Sequence, residues 1–301
     1  MRIHFRRRLS APPLFLIAFL AAVAGTQTGL GAQKGPAIAD VLKLGGEALV
    51  QYSQHLGAMV AEEEYRQMET SSGQMGVPKR VISDVVWLGR GDGSVEGFRD
   101  VIAIDRVPVR PKDDRLSALF AAPGAASLTQ ARQMTEDAVR QYLDGNLHFL
   151  DQPMMALTYL QPANQARSTF KIDGVKNMNG AQVAVLKFTE QGTPRLQESP
   201  ENAAAIGRIW IDVATGTVRQ TELGLGGRSS NIIATVKYTL DAASSLWLPS
   251  EMSQQVSVTG GASSAGSNMG GGGGYSGHQA AEGSAAYSKY RQVPVDLGKL
   301  R

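Results

Sequence analysis

Hydrophobic positions follow two different periods along the 301-residue chain. Over residues 36–55, Ile38, Val41, Leu42, Leu49 and Tyr52 recur at three- and four-residue steps, which predicts an amphipathic helix that Pro36 is placed to start. Gly45 and Gly46 either weaken its middle or mark close packing onto a sheet. From Ala58 the period falls to two. Met59–Thr70 and Val77–Gly89 read as strands around a turn at Ser71–Gly76; Phe98–Ile104 continues the meander, and Asp105–Pro108 closes it in a tight turn.

Helical spacing returns over residues 112–160. Leu116, Leu119 and Phe120 predict a short helix; Leu128, Ala131, Met134, Ala138 and Tyr142 predict a longer one. Met154–Leu160 predicts a third, with Pro153 near its start and Pro162 after its end. The remainder reads as strand: Ser168–Val175, Ala181–Thr189, Arg208–Val213, Thr217–Leu225, Ile232–Leu240 and Leu246–Val258. Asp173-Gly174, Asn179-Gly180, Thr215-Gly216, Gly226-Gly227 and Asp241 punctuate them. Ile232, Ala234, Val236 and Tyr238 share one strand face while Thr235 and Lys237 take the other, the pattern of an antiparallel sheet with one dry face. Residues 259–283 are dominated by glycine and serine and read as a flexible loop before a last strand, Ser284–Val293.

The amino terminus stands apart from both periods. Arg2, Arg6, Arg7 and Arg8 precede an apolar run, Leu14–Ala24, and a small, polar stretch, Gly25–Ala32. That layout predicts a secretory signal peptide over residues 1–32, with cleavage after Ala32 or after Ala24. The run is shorter than the roughly 20 residues a membrane-spanning helix needs. Its removal alters the charge picture. The chain has 30 basic and 27 acidic side chains; without the four arginines, 26 remain against 27. The basicity belongs to the signal, and the rest, residues 33–301, implies neither a nucleic-acid partner nor an acidic membrane surface. Cysteine is absent, which excludes disulfides, thiolate chemistry and a lipid-modified cysteine. The expected product is one domain, exported to the periplasm or beyond the cell, with no transmembrane segment.

Motifs for chemistry are scarce. No GxxxxGK[ST], no GxGxxG within a βαβ unit, no GxSxG and no HExxH occurs. His55 and His148 are isolated, His4 lies in the signal and His278 in the glycine-rich loop, so neither metal nor cofactor is expected. Glu62 and Glu64 would share a strand face, where they are either an exposed surface or the acid pair of a hydrolase. Arg90-Gly91-Asp92 spells an adhesion tripeptide inside a turn-forming stretch.

One string goes beyond composition. Gly207–Asp212 and Thr215–Arg219 form a hairpin with an Asp-x-x-Thr-Gly turn, followed by a strand ending at Tyr238 and by Leu246-Trp247-Leu248-Pro249. Over roughly residues 165–295 this resembles the half-barrel superfamily that includes the periplasmic outer-membrane lipoprotein carrier. The resemblance implies an incomplete antiparallel barrel around a helical lid, with acyl chains held on the concave face. The mature chain is also similar to a family of uncharacterised secreted bacterial proteins through Val60–Glu63 with Tyr65, Phe98–Val101, Leu160-x-Pro162-x-Asn164-Gln165 and Tyr287–Arg291. That family carries no activity to transfer.

These readings predict an α+β fold: a curved antiparallel, half-barrel-like sheet with helices 36–55 and 112–160 on its concave face. The expected role is non-catalytic binding of an apolar ligand, an acyl chain or a lipidated partner, in the cell envelope. The expected cavity residues are Met154, Met155, Leu157, Leu160, Trp210, Ile232, Val236 and Tyr238, all of which also suit a plain core. The alternatives are an interaction protein without a cavity, using its sheet edge or the 259–283 loop, and a carboxylate hydrolase. A roomy open cavity favours the first role, a solidly filled face the second.

Overall fold

Two-residue periodicity needs a partner strand on each side, and the chain supplies it by folding its ends together. The computed structural model describes residues 35–71, 73–124, 126–142, 152–199, 202–227, 230–258 and 279–300. The expected signal peptide and the expected loop up to residue 278 lie outside these. The chain divides after Gly35, and the architecture below belongs to the unit Pro36–Arg301.

Helix α1 (Ile38–Leu56) comes first. It is followed by strands β1 (Ala58–Ser71), β2 (Gln74–Met75), β3 (Lys79–Gly89), β4 (Val95–Ile104) and β5 (Val107–Pro108). Helices α2 (Arg115–Ala121) and α3 (Ser127–Tyr142) and a 3-10 helix at Met155–Tyr159 make up the helical block. Strands β6 (Ser168–Met178), β7 (Ala181–Glu190), β8 (Ala205–Asp212), β9 (Val218–Gly226), β10 (Ser230–Asp241), β11 (Leu246–Val258) and β12 (Gln279–Val293) complete the chain. All pair antiparallel in one sheet, in the order β5-β4-β3-β1-β12-β11-β10-β9-β8-β7-β6, with β2 attached to β1. The first long strand therefore pairs with the last, from Ala58 opposite Val293 to Ser71 opposite Gln279.

The last strand starts five residues before the predicted Ser284, at Gln279. Ala280, Ala281 and Gly283 have little strand preference, but β1 and β11 flank them on both sides and satisfy their backbone groups. At the tight turns local chemistry suffices. Asn179 and Gly180, with φ of 52° and 84°, take the left-handed backbone of a two-residue hairpin between β6 and β7.

The sheet is curved and not closed, with helices packed against it, as the pattern predicts. Helix α1 touches β3 near one edge and β6 at the other, so the sheet curls around it. Glycines allow the contact: a Cβ on Gly89 of β3 would fall 2.0 Å from the carbonyl oxygen of Ser53, and one on Gly45 would press on Ile211 and Leu160. The principal core lies on this concave side. It joins Leu49 and Leu56 of α1 to Trp87, Tyr159, Phe188, Ile209, Ile211 and Val236.

The helical block is divided between the two faces, a difference from the expected single concave layer. The 3-10 helix lies inside, with Leu157 and Tyr159 in the principal core. Helices α2 and α3 lie on the outer face of β1, β3 and β4. There Phe120, Leu116 and Ala131 form a second core with Val60, Val86, Leu88 and Phe98. The reason is in the strand: Val85 and Trp87 point inward, so Val86 and Leu88 point outward and need a cover of their own. Among the described residues no helix is long and apolar enough to cross a membrane.

Candidate functional site

The concave interior is filled along most of its length and opens at one end. The opening lies where the second half of α1 meets the β8–β9 and β10–β11 turns, around a cavity of about 230 Å³. Its floor is apolar: Leu49 and Tyr52 from α1, Leu157 from the 3-10 helix, Val218, Tyr238 and Trp247 from the sheet. Gln51, His55, Thr215, Thr217 and Ser245 form a polar rim.

Local geometry explains how these side chains converge. Gly216 has φ of 74°, and a Cβ there would lie 2.4 Å from the carbonyl oxygen of Leu44, so glycine alone lets the turn sit against α1. Asp212 organises the same turn. Its backbone oxygen accepts from the Gly216 amide at 2.8 Å and its carboxylate accepts from the Ala214 amide at 3.0 Å. The carboxylate also holds Arg219 at 2.6 Å. Burial pushes the Asp212 pKa up, but Arg219 and the turn amides outweigh it and keep the group below the ordinary carboxylate range. The Arg219 guanidinium then lies 3.5 Å over the Trp247 ring. The Asp-x-x-Thr-Gly turn thus fixes one wall of the cavity. On the opposite wall, Ser53 pins α1 by accepting from the Gly93 amide at 2.9 Å while donating to Val50.

Three tyrosines meet beside the cavity, and their hydroxyls differ. Tyr238 donates to the Pro153 carbonyl at 3.0 Å, and Tyr290 donates to the Pro249 carbonyl. Tyr52, whose hydroxyl is buried and electrostatically close to the other two, has no partner. Burial raises its pKa well above the usual value, with Tyr238 and Tyr290 adding to the rise, so the hydroxyl is a neutral donor.

Of the eight residues expected to line a cavity, Leu157 and Tyr238 do so. Met154, Leu160, Ile232 and Val236 are buried in the principal core, and Met155 packs against it. Trp210 lies on the other face of the sheet with Val183 and Val185, because its neighbours Ile209 and Ile211 point inward. Sequence reasoning missed Tyr52 and Trp247 as lining residues. Their signals were present as the last aromatic of the amphipathic helix and a tryptophan directly after a turn.

The carboxylates of β1 are split by strand alternation. Glu62 and Glu64 face outward and each holds two cations: Lys112 and Lys289 for Glu62, Arg80 and Arg66 for Glu64. Arg80 and Arg66 hold the Glu64 pKa at about 2. The Glu62 pKa is also lowered, since the two lysines outweigh partial burial. Both are ionised at neutral pH, whereas a general acid needs a raised pKa, so the acid pair of a hydrolase finds no support here. Glu63 faces inward and pairs with Arg99 through two bonds of 2.7 and 2.8 Å, both side chains buried. Among the described residues no group of acids and histidines is arranged to hold a metal ion.

No protein-family model matches the chain, and no curated protein matches it. Several solved structures are distantly similar to it. An outer-membrane lipoprotein-sorting protein domain from Vibrio parahaemolyticus is 11% identical with a TM-score of 0.38, over 85% of this chain and 96% of that one. A DUF1329 family protein from Desulfovibrio piger is 11% identical with a TM-score of 0.34, over 86% and 95%. A LolA superfamily protein from Nitrosomonas europaea is 10% identical with a TM-score of 0.33, over 85% and 97%. A likeness at this level says nothing of the site.

Proposed function

We propose that the protein is an exported, non-catalytic binder of an apolar ligand in the cell envelope. The observation that carries this reading is the cavity at the open end of the curled sheet, with its apolar floor and polar rim. Concave, mostly apolar sites with a few convergent polar groups are the usual form of small-ligand pockets. The basic, apolar and small-residue layout of residues 1–32 supports export.

The size of the cavity limits the ligand. Its volume of about 230 Å³ falls below the roughly 300–1,000 Å³ typical of sites that bury a drug-sized molecule. A short acyl group, or the end of a longer chain whose remainder stays outside, fits that space. Two rings that bound it, Trp247 and Tyr238, are each fixed by a further contact, so the site is formed before the ligand arrives.

Native mass spectrometry of protein purified from its own envelope, with extraction of the co-purifying lipid, tests the reading. A reproducible bound mass of an acyl species is expected. A bare protein mass in every preparation, together with no uptake of added medium-chain lipids, would remove the proposed role.

A further inference from the structure

The mouth of the cavity is polar without being charged, and part of its hydrogen-bonding pattern is fixed by the chain itself. We propose that the cavity takes an alkyl or acyl compound with an uncharged, hydroxyl-bearing head, from which the His55 ring accepts a hydrogen bond; this rests on the binding role above.

None of the described residues lining the cavity is Lys, Arg, Asp or Glu. Charged residues close to them in sequence are already engaged. Arg219 pairs with Asp212 at 2.6 Å, and Glu47, one turn before Gln51 on α1, pairs with Lys43 at 2.8 Å. The Asp241 carboxylate accepts from the amide and the hydroxyl of Ser244. A charged head drawn against this rim would give up hydration without gaining a counter-ion. An uncharged head exchanges its water for the hydroxyls and the amide of the rim at little cost.

His55 adds a direction to the bond. Its Nδ1 lies 2.7 Å from the Gln51 carbonyl oxygen, which can only accept, so Nδ1 carries the proton. In the neutral ring Nε2 is then the acceptor, and the side chain is exposed at the rim, where a ligand head reaches it. At the β8–β9 turn, the Thr215 hydroxyl donates to that of Thr217 at 2.8 Å, which leaves the Thr217 proton for another acceptor. The helix side of the mouth thus offers an acceptor and the turn side a donor. Hydroxyl groups both donate and accept, and so match both sides, whereas an ether, ester or sulfate oxygen only accepts.

Four probes with the same apolar chain discriminate the cases: mono-octanoylglycerol, its dimethyl ether, octyl sulfate and octyltrimethylammonium. Each is titrated by calorimetry at pH 8, below its micelle concentration, into the purified protein, His55→Phe and Thr217→Val. Both substitutions lie at the rim, and an unchanged melting temperature verifies the fold. Mono-octanoylglycerol should bind roughly threefold to tenfold more tightly than the other three. His55→Phe should abolish its advantage over the dimethyl ether and leave ether binding as it was, because only the free hydroxyls can donate to the ring. Thr217→Val should weaken both by a similar factor, because both keep acceptor oxygens. Octyl sulfate or octyltrimethylammonium as the tightest ligand, equal binding of the glycerol ester and its ether, or an advantage that survives His55→Phe would each overturn the inference and leave the apolar site standing. Failure of all four to bind the parent protein would remove the binding role itself, and the inference with it.

Discussion

The two halves of the sheet bury their residues differently. Strands β1, β3 and β4 lie between α1 inside and α2 and α3 outside, and β3 is buried almost continuously from Ser83 to Gly89. Strand β10, in the other half, alternates: Ile232, Ala234, Val236 and Tyr238 are buried, while Thr235 and Lys237 are not. The same antiparallel pairing serves both. What differs is whether a helix covers the second face, and the cover decides what each outward position can tolerate.

The largest test of this comparison places one charge on each outer face. Val86→Asp introduces a carboxylate into the second core, where Val86 is wholly buried beneath α2 and α3. It should destabilise by more than about 4 kcal/mol, read as loss of cooperative unfolding in denaturant titration. Ser253→Lys, on the exposed face of β11, should stay within about 0.5 kcal/mol of the parent. Equal effects at the two positions would mean that the outer cover is not formed.

Next in size is the inward ion pair of the covered half. Arg99→Met removes the guanidinium that pairs with the buried Glu63 carboxylate and should cost roughly 3–5 kcal/mol in chemical denaturation. Recovery of much of that loss in the double variant with Glu63→Leu would show that the broken ion pair, and not lost packing, carries the cost.

The smallest effects sharpen the contrast through pH. Glu64 and Asp84 share the outer face of adjacent strands, yet their pKa values move in opposite directions. Arg80 and Arg66 lower that of Glu64 to about 2. Burial raises that of Asp84 despite nearby Lys112 and Arg291. The stability from Glu64 is present above the unfolded-state carboxylate pKa and is lost as pH falls through about 2. Asp84 acts in the reverse sense, favouring the fold while protonated and costing stability as pH rises through its unfolded pKa toward its folded one. In thermal melts between pH 2.5 and 7, Glu64→Gln should be destabilised near neutrality and approach the parent in acid. Asp84→Asn should melt above the parent at pH 7 and converge with it at low pH. A shift of the same sign in both variants at pH 7 would contradict the difference in cover.

The legibility of the site follows the same division. Leu157, expected from the apolar cluster after Pro153, and Tyr238, from the aromatics of the strands, border the cavity. Tyr52 and Trp247 carried the same kind of signal, but a helix face and a strand start do not reveal that they meet. Trp210 shows the converse. Its size suggested the interior, while the alternation of β8 commits it to the other face with Val183 and Val185.

By itself the sequence determined the elements. Local periodicity specifies the amphipathic α1, the predicted strands and the turns at Asn179-Gly180 and Thr215-Gly216, because side-chain spacing and backbone preference act over only a few residues. Only the tertiary structure decided which face each helix covers, that β1 pairs with β12, and that α1 ends against the turns of β8–β9 and β10–β11. These are choices between distant segments of similar local character. They are settled by which apolar faces can be buried together, and no short stretch of chain carries that information.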